Sequence, residues 1–308
     1  MEEKNNTYTG WKKWAPTIEE WAALSTFQGN IDLDKFAVAF PNVKIPDLIE
    51  NEYLLVYSTD DAGKNRLVAQ YIMQDNILKK FGRDSISFRS RKSSAKSTEI
   101  VARNDEQVCA INLLHNRDIT IKLIEGSWGV GKTMLLVTAA LEALEHNVFD
   151  RIVWIRNNVR VAGTPDLGAL PGDKNEKLMD YVGPFVDHCG KAAVECMLNN
   201  EQLIIEPLQS IRGRNIDNAI IMCSEAENLL TSHIQLIIAR AAEGSEVWFD
   251  GDMSQVDGKI FRDSKGLDSL KAALMTDPLF GYVKLVKSER SKTAACADKL
   301  NKYNTDKK

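Results

Sequence analysis

One eight-residue stretch restricts the fold of this chain more than any other. Residues 126–133 read Gly-Ser-Trp-Gly-Val-Gly-Lys-Thr, which satisfies the phosphate-loop pattern G-x-x-x-x-G-K-[ST] at every fixed position. An apolar segment at 119–125 precedes the loop, and a helical pattern at 133–146 follows it. Because a glycine-rich turn between a strand and a helix points several backbone N–H groups at an anion, the stretch predicts nucleotide binding.

The residues of this P-loop have different expected tasks. Lys132 supplies a positive charge for the β- and γ-phosphates, and the Thr133 hydroxyl is placed to bind Mg²⁺. The other residues expected to surround the nucleotide are Gly126, Ser127, Trp128, Gly129, Val130, Gly131 and Met134.

From residue 100 onwards, strand-like segments alternate with helical ones. The candidate strands are 119–125, 151–155, 203–207, 219–223, 246–250 and 282–286. Apolar strands separated by helices indicate a mostly parallel sheet with helices on both faces. The expected fold class is α/β, with residues 99–308 forming a RecA-like P-loop NTPase core.

Two smaller regions are expected before this core. Residues 1–42 are predicted to be a helical extension, with a capping box at 17–20 that opens a helix to about Thr26. This extension holds three of the six tryptophans. Their indoles either dock on a larger body or another subunit, or stack on bases.

Residues 43–98 are predicted to form a small β-rich module. Its strand-like pieces lie at 53–58, 67–73 and 85–88. The basic stretch 88–98 that follows is interpreted as a linker, with phosphate binding by its arginines and lysines as the alternative.

The composition narrows the setting. A net charge of −4 argues against a surface that coats nucleic acid, although it permits a local basic patch. The five cysteines include no C-x-x-C pair, which indicates reduced thiols. No signal peptide or apolar run of membrane-spanning length is recognisable, so a cytoplasmic protein without a membrane partner is expected.

Polar residues follow two other predicted strands. Ser224-Glu225 comes after 219–223, where a P-loop ATPase usually has Asp-Glu, the pair that manages Mg²⁺ and the attacking water. Glu225 is expected to orient or deprotonate that water. The stretch 251–257 after strand 246–250 resembles motif III of superfamily-one helicases, which implies a catalytic role for Gln255.

Two amides lie upstream of the P-loop strand, where those helicases place an adenine-reading glutamine. Asn104 and Gln107 are therefore candidates to bind the nucleotide base, since an amide can pair with the N6/N7 edge of adenine. This favours ATP over GTP.

Taken together, the motifs resemble the PhoH family of phosphate-starvation ATPases, particularly the subfamily fused to a PIN nuclease domain. The motifs that carry the resemblance, besides the P-loop, are Gly163, the segment Leu167 to Lys177, Ile211-Arg-Gly-Arg214, Ser224-Glu-Ala-Glu-Asn228 and Glu289-Arg290-Ser291. The resemblance implies a RecA-like core, ATP hydrolysis, RNA-linked activity and ring-shaped homo-oligomers such as hexamers. The nuclease domain and its activity are not expected, because residues before 43 show no apolar strand that ends in Asp.

The chain departs from the family at two strand ends. The family has Asp-Glu-Ala-Gln-Asn where this chain has Ser224 to Asn228, and Thr-Gly-Asp where it has Asp250-Gly251-Asp252. One hypothesis is that Asp250 takes over part of the Mg²⁺ role, with Thr133 and Ser224 as the other oxygen donors. The alternative is that Asp250 is a solvated acid at a strand end.

Arg290 is the candidate to neutralise charge on the γ-phosphate in the transition state, from the same chain or from a neighbouring one. An ordinary ion pair with Glu289 or Asp298 is the alternative.

Three functions remain open. The first is an Mg²⁺-dependent ATPase that acts on, or is stimulated by, single-stranded RNA as a homo-oligomer. The second is a nucleotide-gated assembly or RNA-binding protein whose hydrolysis is weak or absent because of Ser224. A small-molecule kinase fits less well, because it would not explain the motifs from 163 to 291.

Overall fold

The computed structural model describes residues 8–59, 64–89, 97–156, 182–256 and 259–289. The strands are β1 Trp11–Trp14, β2 Ile31–Asp32, β3 Tyr53–Thr59, β4 Asn65–Gln74, β5 Ile77–Lys80, β6 Ser85–Arg89, β7 Ser97–Val101, β8 Ile121–Gly126, β9 Arg151–Arg156, β10 Leu203–Pro207, β11 Ala219–Cys223, β12 Glu246–Gly251 and β13 Phe280–Leu285. The α-helices are α1 Ile18–Ser25, α2 Leu33–Ala39, α3 Asp105–His115, α4 Lys132–Glu145, α5 Gly183–Cys189, α6 Lys191–Asn199, α7 Thr231–Ile238, α8 Lys259–Ser264 and α9 Gly266–Leu274.

Six strands form an all-parallel sheet in the order β10-β9-β11-β12-β8-β13. Side chains alternate along each strand between two apolar layers. On β11, for example, Ile220 and Met222 pack in one layer, while Ile221 and Cys223 pack in the other. Helices α3 and α4 cover the first face, and α7 and α9 cover the second. The expected RecA-like α/β core is confirmed.

The strand order determines where the site lies. Strand β12 pairs with both the P-loop strand β8 and the strand β11 that ends before Ser224. Because parallel strands all end at the same edge of a sheet, the residues that follow these three strands meet there. This arrangement brings the P-loop, Ser224-Glu225 and Asp250 to one place.

The predicted helical extension and the predicted β-rich module share one sheet. Its order is β1-β3-β4-β5-β2, so β1 and β2 from the first forty residues flank strands from the module. Helix α1 has the expected capping box, formed by Thr17 and Glu20. Strands from both sides of residue 42 therefore belong to one sheet, and the predicted boundary there does not separate two structural units. The boundary between the module and the core stays a proposal.

The two ends of the stretch interpreted as a linker, residues 88–89 and 97–98, belong to the antiparallel strand pair β6–β7, here called the hairpin. Strands β6 and β7 pair antiparallel, and residues 90–96 between them lie outside the described ranges. The hairpin is attached to the core through Glu142 on α4, whose carboxylate accepts hydrogen bonds from the Ser87 N–H and the Arg83 guanidinium. Sequence reasoning missed the second strand because its polar composition is typical of a loop.

The N-terminal sheet docks on the edge of the parallel sheet. The Trp11 indole N–H donates to the carbonyl oxygen of Lys284 on β13 at 2.8 Å, and the Lys284 N–H donates to the carbonyl oxygen of Thr9 at 2.9 Å. Gly10 has φ +79°, and a Cβ there would lie 1.8 Å from the Tyr282 carbonyl oxygen, so only glycine permits this approach. The expectation that the tryptophans dock on a larger body holds for Trp11. Trp14 and Trp21 pack on the apolar layer of the N-terminal sheet itself.

Within the described part of the chain, no helix has both the length and the apolar character needed to cross a bilayer.

Candidate functional site

A cavity of about 250 Å³ opens at the carboxyl edge of the parallel sheet. Its walls come from the P-loop and from the ends of β11 and β12. The predicted site residues that line it are Trp128, Gly129, Lys132, Thr133, Ser224, Glu225, Asp250 and Gln255. Residues far apart in sequence thus share one site because their strands end side by side.

The P-loop wraps the start of α4. Gly129 and Gly131 have φ of +71° and +95°, conformations that a side chain disfavours, and α4 begins directly afterwards at Lys132. The Lys132 ammonium donates to the carbonyl oxygens of Gly126 at 2.6 Å and Ser127 at 3.1 Å. The loop therefore holds the lysine near the free N–H groups of the helix N-terminus, which favour an anion.

Asp250 lies at the centre of the site and is only 1 % exposed. The Thr133 hydroxyl donates to one of its carboxylate oxygens at 2.6 Å, and the Glu225 backbone N–H donates to the other at 3.0 Å. The alternative of a solvated strand-end acid is wrong. A buried carboxylate needs such donors, because charge taken out of water is costly without them.

Glu225 adopts a backbone conformation that is unfavourable for a side chain. Its φ of +55° lies in the left-handed region, and its hydrogen bond to Asp250 helps to hold it there. The Glu225 side chain is exposed, whereas the neighbouring Ser224 is half-buried. The turn therefore presents the Glu225 carboxylate to the solvent side of the cavity.

Glu227 is a cavity residue that sequence reasoning missed. It is buried, and its carboxylate accepts the Asp252 N–H at 3.0 Å. Burial raises the pKa of Glu227 to about 7, with repulsion from Asp250 and Glu225 acting in the same direction. The available signal was that this chain has glutamate where the family has glutamine.

Gln255 is tied to the end of β12. Its backbone N–H donates to the Asp252 carbonyl oxygen at 2.9 Å, and its side-chain amide donates to the Asp252 carboxylate. The other oxygen of that carboxylate accepts a hydrogen bond from the Ser254 N–H at 2.9 Å, which fixes the same turn. The turn thus holds the Gln255 amide at the cavity wall.

The two predicted adenine-reading amides do not line the cavity. The Gln107 side chain is 2 % exposed; its oxygen accepts the Arg103 N–H at 2.8 Å, and its nitrogen donates to the Val130 carbonyl oxygen at 2.9 Å. Asn104 caps α3 by accepting the Gln107 N–H, and its amide nitrogen donates to the Glu289 carboxylate at 3.0 Å. Contact with a base stays a prediction for both.

The remaining predicted residues divide into two groups. The Met134 side chain packs partly on the apolar core, and a Cβ at Gly131 of the P-loop would lie 3.5 Å from its terminal methyl carbon. Arg290 and the motif residues 163–177 lie outside the described ranges. Glu289 is the last described residue, and its N–H donates to the Gly129 carbonyl oxygen in the P-loop at 3.2 Å.

The donor set is compatible with Mg²⁺. Among the described residues, no group of three or more His, Cys, Asp and Glu side chains could by itself hold a metal ion. Mg²⁺ in nucleotide sites uses few protein ligands and several phosphate and water oxygens. The Thr133 hydroxyl and the Asp250 carboxylate, 2.6 Å apart, are oxygen donors of the type that such an ion prefers.

Comparisons with known proteins show which family the sequence matches. A family model described as PhoH-like protein matches residues 99–304. Protein PhoH2 of Bacillus subtilis is 32% identical over 213 residues, covering 64% of this chain and 47% of the relative. Protein PhoH2 of Thermobispora bispora is 32% identical over 203 residues (64% and 46%), and protein PhoH of Escherichia coli K12 is 29% identical over 219 residues (69% and 60%). The chain thus aligns with about half the length of these relatives.

Proposed function

This chain belongs to the PhoH-like protein family, and we propose that it is an Mg²⁺-dependent ATPase. The observation that carries the proposal is the hydrogen-bonded series from Thr133 through Asp250 to Glu225 beside the P-loop. It links the residue expected to touch the metal with the residue expected to handle the attacking water. The expected position of the acid, 224, holds serine, and a buried carboxylate from the neighbouring strand contacts Thr133 instead.

Each residue has a definite task in this proposal. Lys132 leaves the Gly126 and Ser127 carbonyl oxygens and binds the β- and γ-phosphates, because phosphate oxygens are stronger acceptors for an ammonium group. The Thr133 hydroxyl donates its hydrogen bond to Asp250, which leaves its oxygen lone pairs free for the metal. Mg²⁺, when bound, neutralises charge on the phosphates and orients them.

Glu225 acts on the water that attacks the γ-phosphate. The left-handed turn and the hydrogen bond from the Glu225 N–H to Asp250 fix the backbone position from which the Glu225 side chain extends. Gln255 binds the same water or a phosphate oxygen through its amide, and Arg290 supplies the positive charge that stabilises the transition state. Asp250 therefore affects both the metal and the water.

The partners in this proposal are single-stranded RNA and further copies of the chain. Arg212 is exposed, and Arg214 forms an ion pair with Glu206 beside it. Arginine binds phosphate through a rigid fork of N–H donors, so this surface suits an RNA backbone. A ring-shaped homo-oligomer in the cytoplasm is part of the same proposal, as is ATP as the preferred nucleotide.

A nucleotide-gated assembly protein is the second candidate, and Ser224 is the observation that favours it. Without a carboxylate at 224, nucleotide binding would close an assembly while hydrolysis stays weak. The two candidates differ in turnover and agree in nucleotide binding.

The test is steady-state ATP hydrolysis with Mg²⁺, with and without single-stranded RNA. Lys132→Ala is expected to lower kcat/KM by at least about 10³-fold, because it removes the charge that holds the phosphates. Lys191→Ala, which removes an exposed lysine from α6, is the matched control and is expected to keep wild-type turnover. Wild-type protein that binds ATP but hydrolyses it no faster than Lys132→Ala would reject the ATPase in favour of the assembly protein.

A further inference from the structure

The first turn of α3 contacts both the P-loop and the segment that follows β13. Gln107 donates to the Val130 carbonyl oxygen inside the P-loop at 2.9 Å. One residue earlier, a carboxylate oxygen of the buried Glu106 accepts two consecutive backbone N–H groups, from Val286 at 2.6 Å and Lys287 at 3.0 Å. We call Asn104, Glu106 and Gln107 the α3 bracket.

The bracket also holds the last described residue. The Asn104 amide nitrogen donates to the Glu289 carboxylate at 3.0 Å, and the Glu289 N–H donates to the Gly129 carbonyl oxygen at 3.2 Å. The hydrogen bond from Asn104 is the main reason that the pKa of Glu289 lies below its ordinary value. The segment 286–289 is thus attached at both ends to elements that border the nucleotide site.

We propose that the α3 bracket is a positioning device, in which Asn104 and Glu106 hold the segment 286–289 in a fixed place relative to the P-loop and thereby support the action of Arg290. The inference rests on the proposed ATPase function and on Arg290 as its arginine. The hydrogen bonds hold Glu289 beside Gly129, and Arg290 is the next residue in the sequence. Small errors in the placement of a catalytic group lower rates steeply.

A reciprocal exchange of amide and carboxylate tests the contact without disturbing the helix cap. Asn104→Asp keeps an oxygen that caps the Gln107 N–H, since aspartate caps helices as well as asparagine does. It nevertheless places a second carboxylate opposite Glu289, and the two repel. In Asn104→Asp/Glu289→Gln the amide and the carboxylate have exchanged places, so the hydrogen bond between the positions is restored.

The expected result is a loss of kcat with little change in binding. Asn104→Asp should lower kcat about 10-fold with KM for ATP within about 3-fold, which is typical of an interaction needed in the transition state. The double variant should return to within about 3-fold of wild type. Glu289→Gln alone should have a small effect, because an amide oxygen still accepts from Asn104.

The route through Arg290 is tested by a double-mutant cycle. If the bracket acts through that arginine, Asn104→Asp should cause little further loss in an Arg290→Ala background. Asn30→Asp, in the N-terminal sheet, adds the same charge at an asparagine whose oxygen accepts the Lys80 N–H and should leave kcat unchanged. Thermal unfolding of all variants should agree within about 3 °C.

Three results would overturn the inference. They are a kcat loss that the exchange does not rescue, equal losses in the wild-type and Arg290→Ala backgrounds, and a change confined to KM that differs between ATP and GTP. The last would indicate that Asn104 reads the base. If wild-type protein does not hydrolyse ATP at all, the ATPase proposal fails first, and the rescue is then followed through thermal stabilisation by ATP.

Discussion

The ends of β11 and β12 lie side by side, but the acidic side chains there differ in burial. On β12, Asp250 is almost fully buried and accepts hydrogen bonds from Thr133 and Glu225. On β11, Ser224 carries no carboxylate, and the Glu225 side chain next to it is exposed. One strand end holds a fixed charge beside the P-loop, and the other presents a free one. The geometry around Thr133, rather than a position in the sequence, therefore makes Asp250 our candidate for the acid on the metal side of the proposed site.

The sharpest way to break this comparison is to remove each strand end's contribution in turn. Asp250→Ala is expected to lower kcat by about 10²–10³-fold, because Thr133 and the Glu225 N–H both lose their acceptor. Ser224→Ala removes only a hydroxyl and should lower kcat by no more than about 3-fold. Steady-state hydrolysis at saturating ATP measures both.

The same assay tests whether the carboxylate can return to the position usual in the family. Ser224→Asp in the Asp250→Ala background should recover about 10-fold of the lost turnover. Equal losses for Asp250→Ala and Ser224→Ala would contradict the assignment of the metal-side role to β12.

A second test sharpens the comparison through Glu227, which joins the two strand ends by accepting the Asp252 N–H. Its pKa of about 7 lies above the ordinary glutamate value of 4.5. Between these values the folded chain keeps a proton that the unfolded chain has released, so the free energy of unfolding falls as pH rises from 4.5 to 7. Glu227→Gln should remove this fall.

The expected gain from Glu227→Gln is about 1–3 kcal/mol at pH 8 and close to zero at pH 4.5. Chemical denaturation at several pH values measures it. Glu243→Gln, at an exposed position, is the matched control and should track wild type at every pH. A stability difference that does not change with pH would mean that Glu227 is already ionised in the folded chain at low pH.

The smallest expected effect concerns the left-handed backbone at Glu225. Glycine tolerates this conformation and alanine does not, so Glu225→Gly should be more stable than Glu225→Ala by about 0.5–1 kcal/mol. At Glu195, an exposed position within α6, the order should reverse by about 1 kcal/mol. Urea titrations of the four variants compare the two pairs. The same order at both positions would argue against strain at Glu225.

The parallel core was predictable because its central strands β8, β11 and β12 are buried on both faces. Segment 219–223 is entirely apolar, and 246–250 has an apolar centre, Val-Trp-Phe, between two acidic residues. Short apolar runs of this kind between helical segments are typical of strands in a parallel sheet. The P-loop was predictable for a different reason, since its glycines and lysine are required by phosphate geometry. Both signals are local in sequence.

The parts that escaped prediction depend on contacts that are distant in sequence. Strand β1 is Trp-Lys-Lys-Trp, and it is a strand because Tyr53 and its neighbours on β3 lie beside it. The roles of Asn104 and Gln107 depend on Glu289 and Val130, which only the folded chain brings near. The sequence places two amides near the P-loop strand, but only the folded structure shows that both contact protein groups.

The position of β12 between β8 and β11 also has a consequence for how such a site can change over generations. The two adjacent strand ends line the cavity that Thr133 also lines, so a chain can acquire an acid at 250 while it still has one at 224. Once both acids are present, either one can change to another residue while the other keeps a carboxylate in the cavity. A chain that lacks the usual aspartate at one strand end can therefore carry the acid on the neighbouring strand. That strand should be inspected before a homologue is judged inactive.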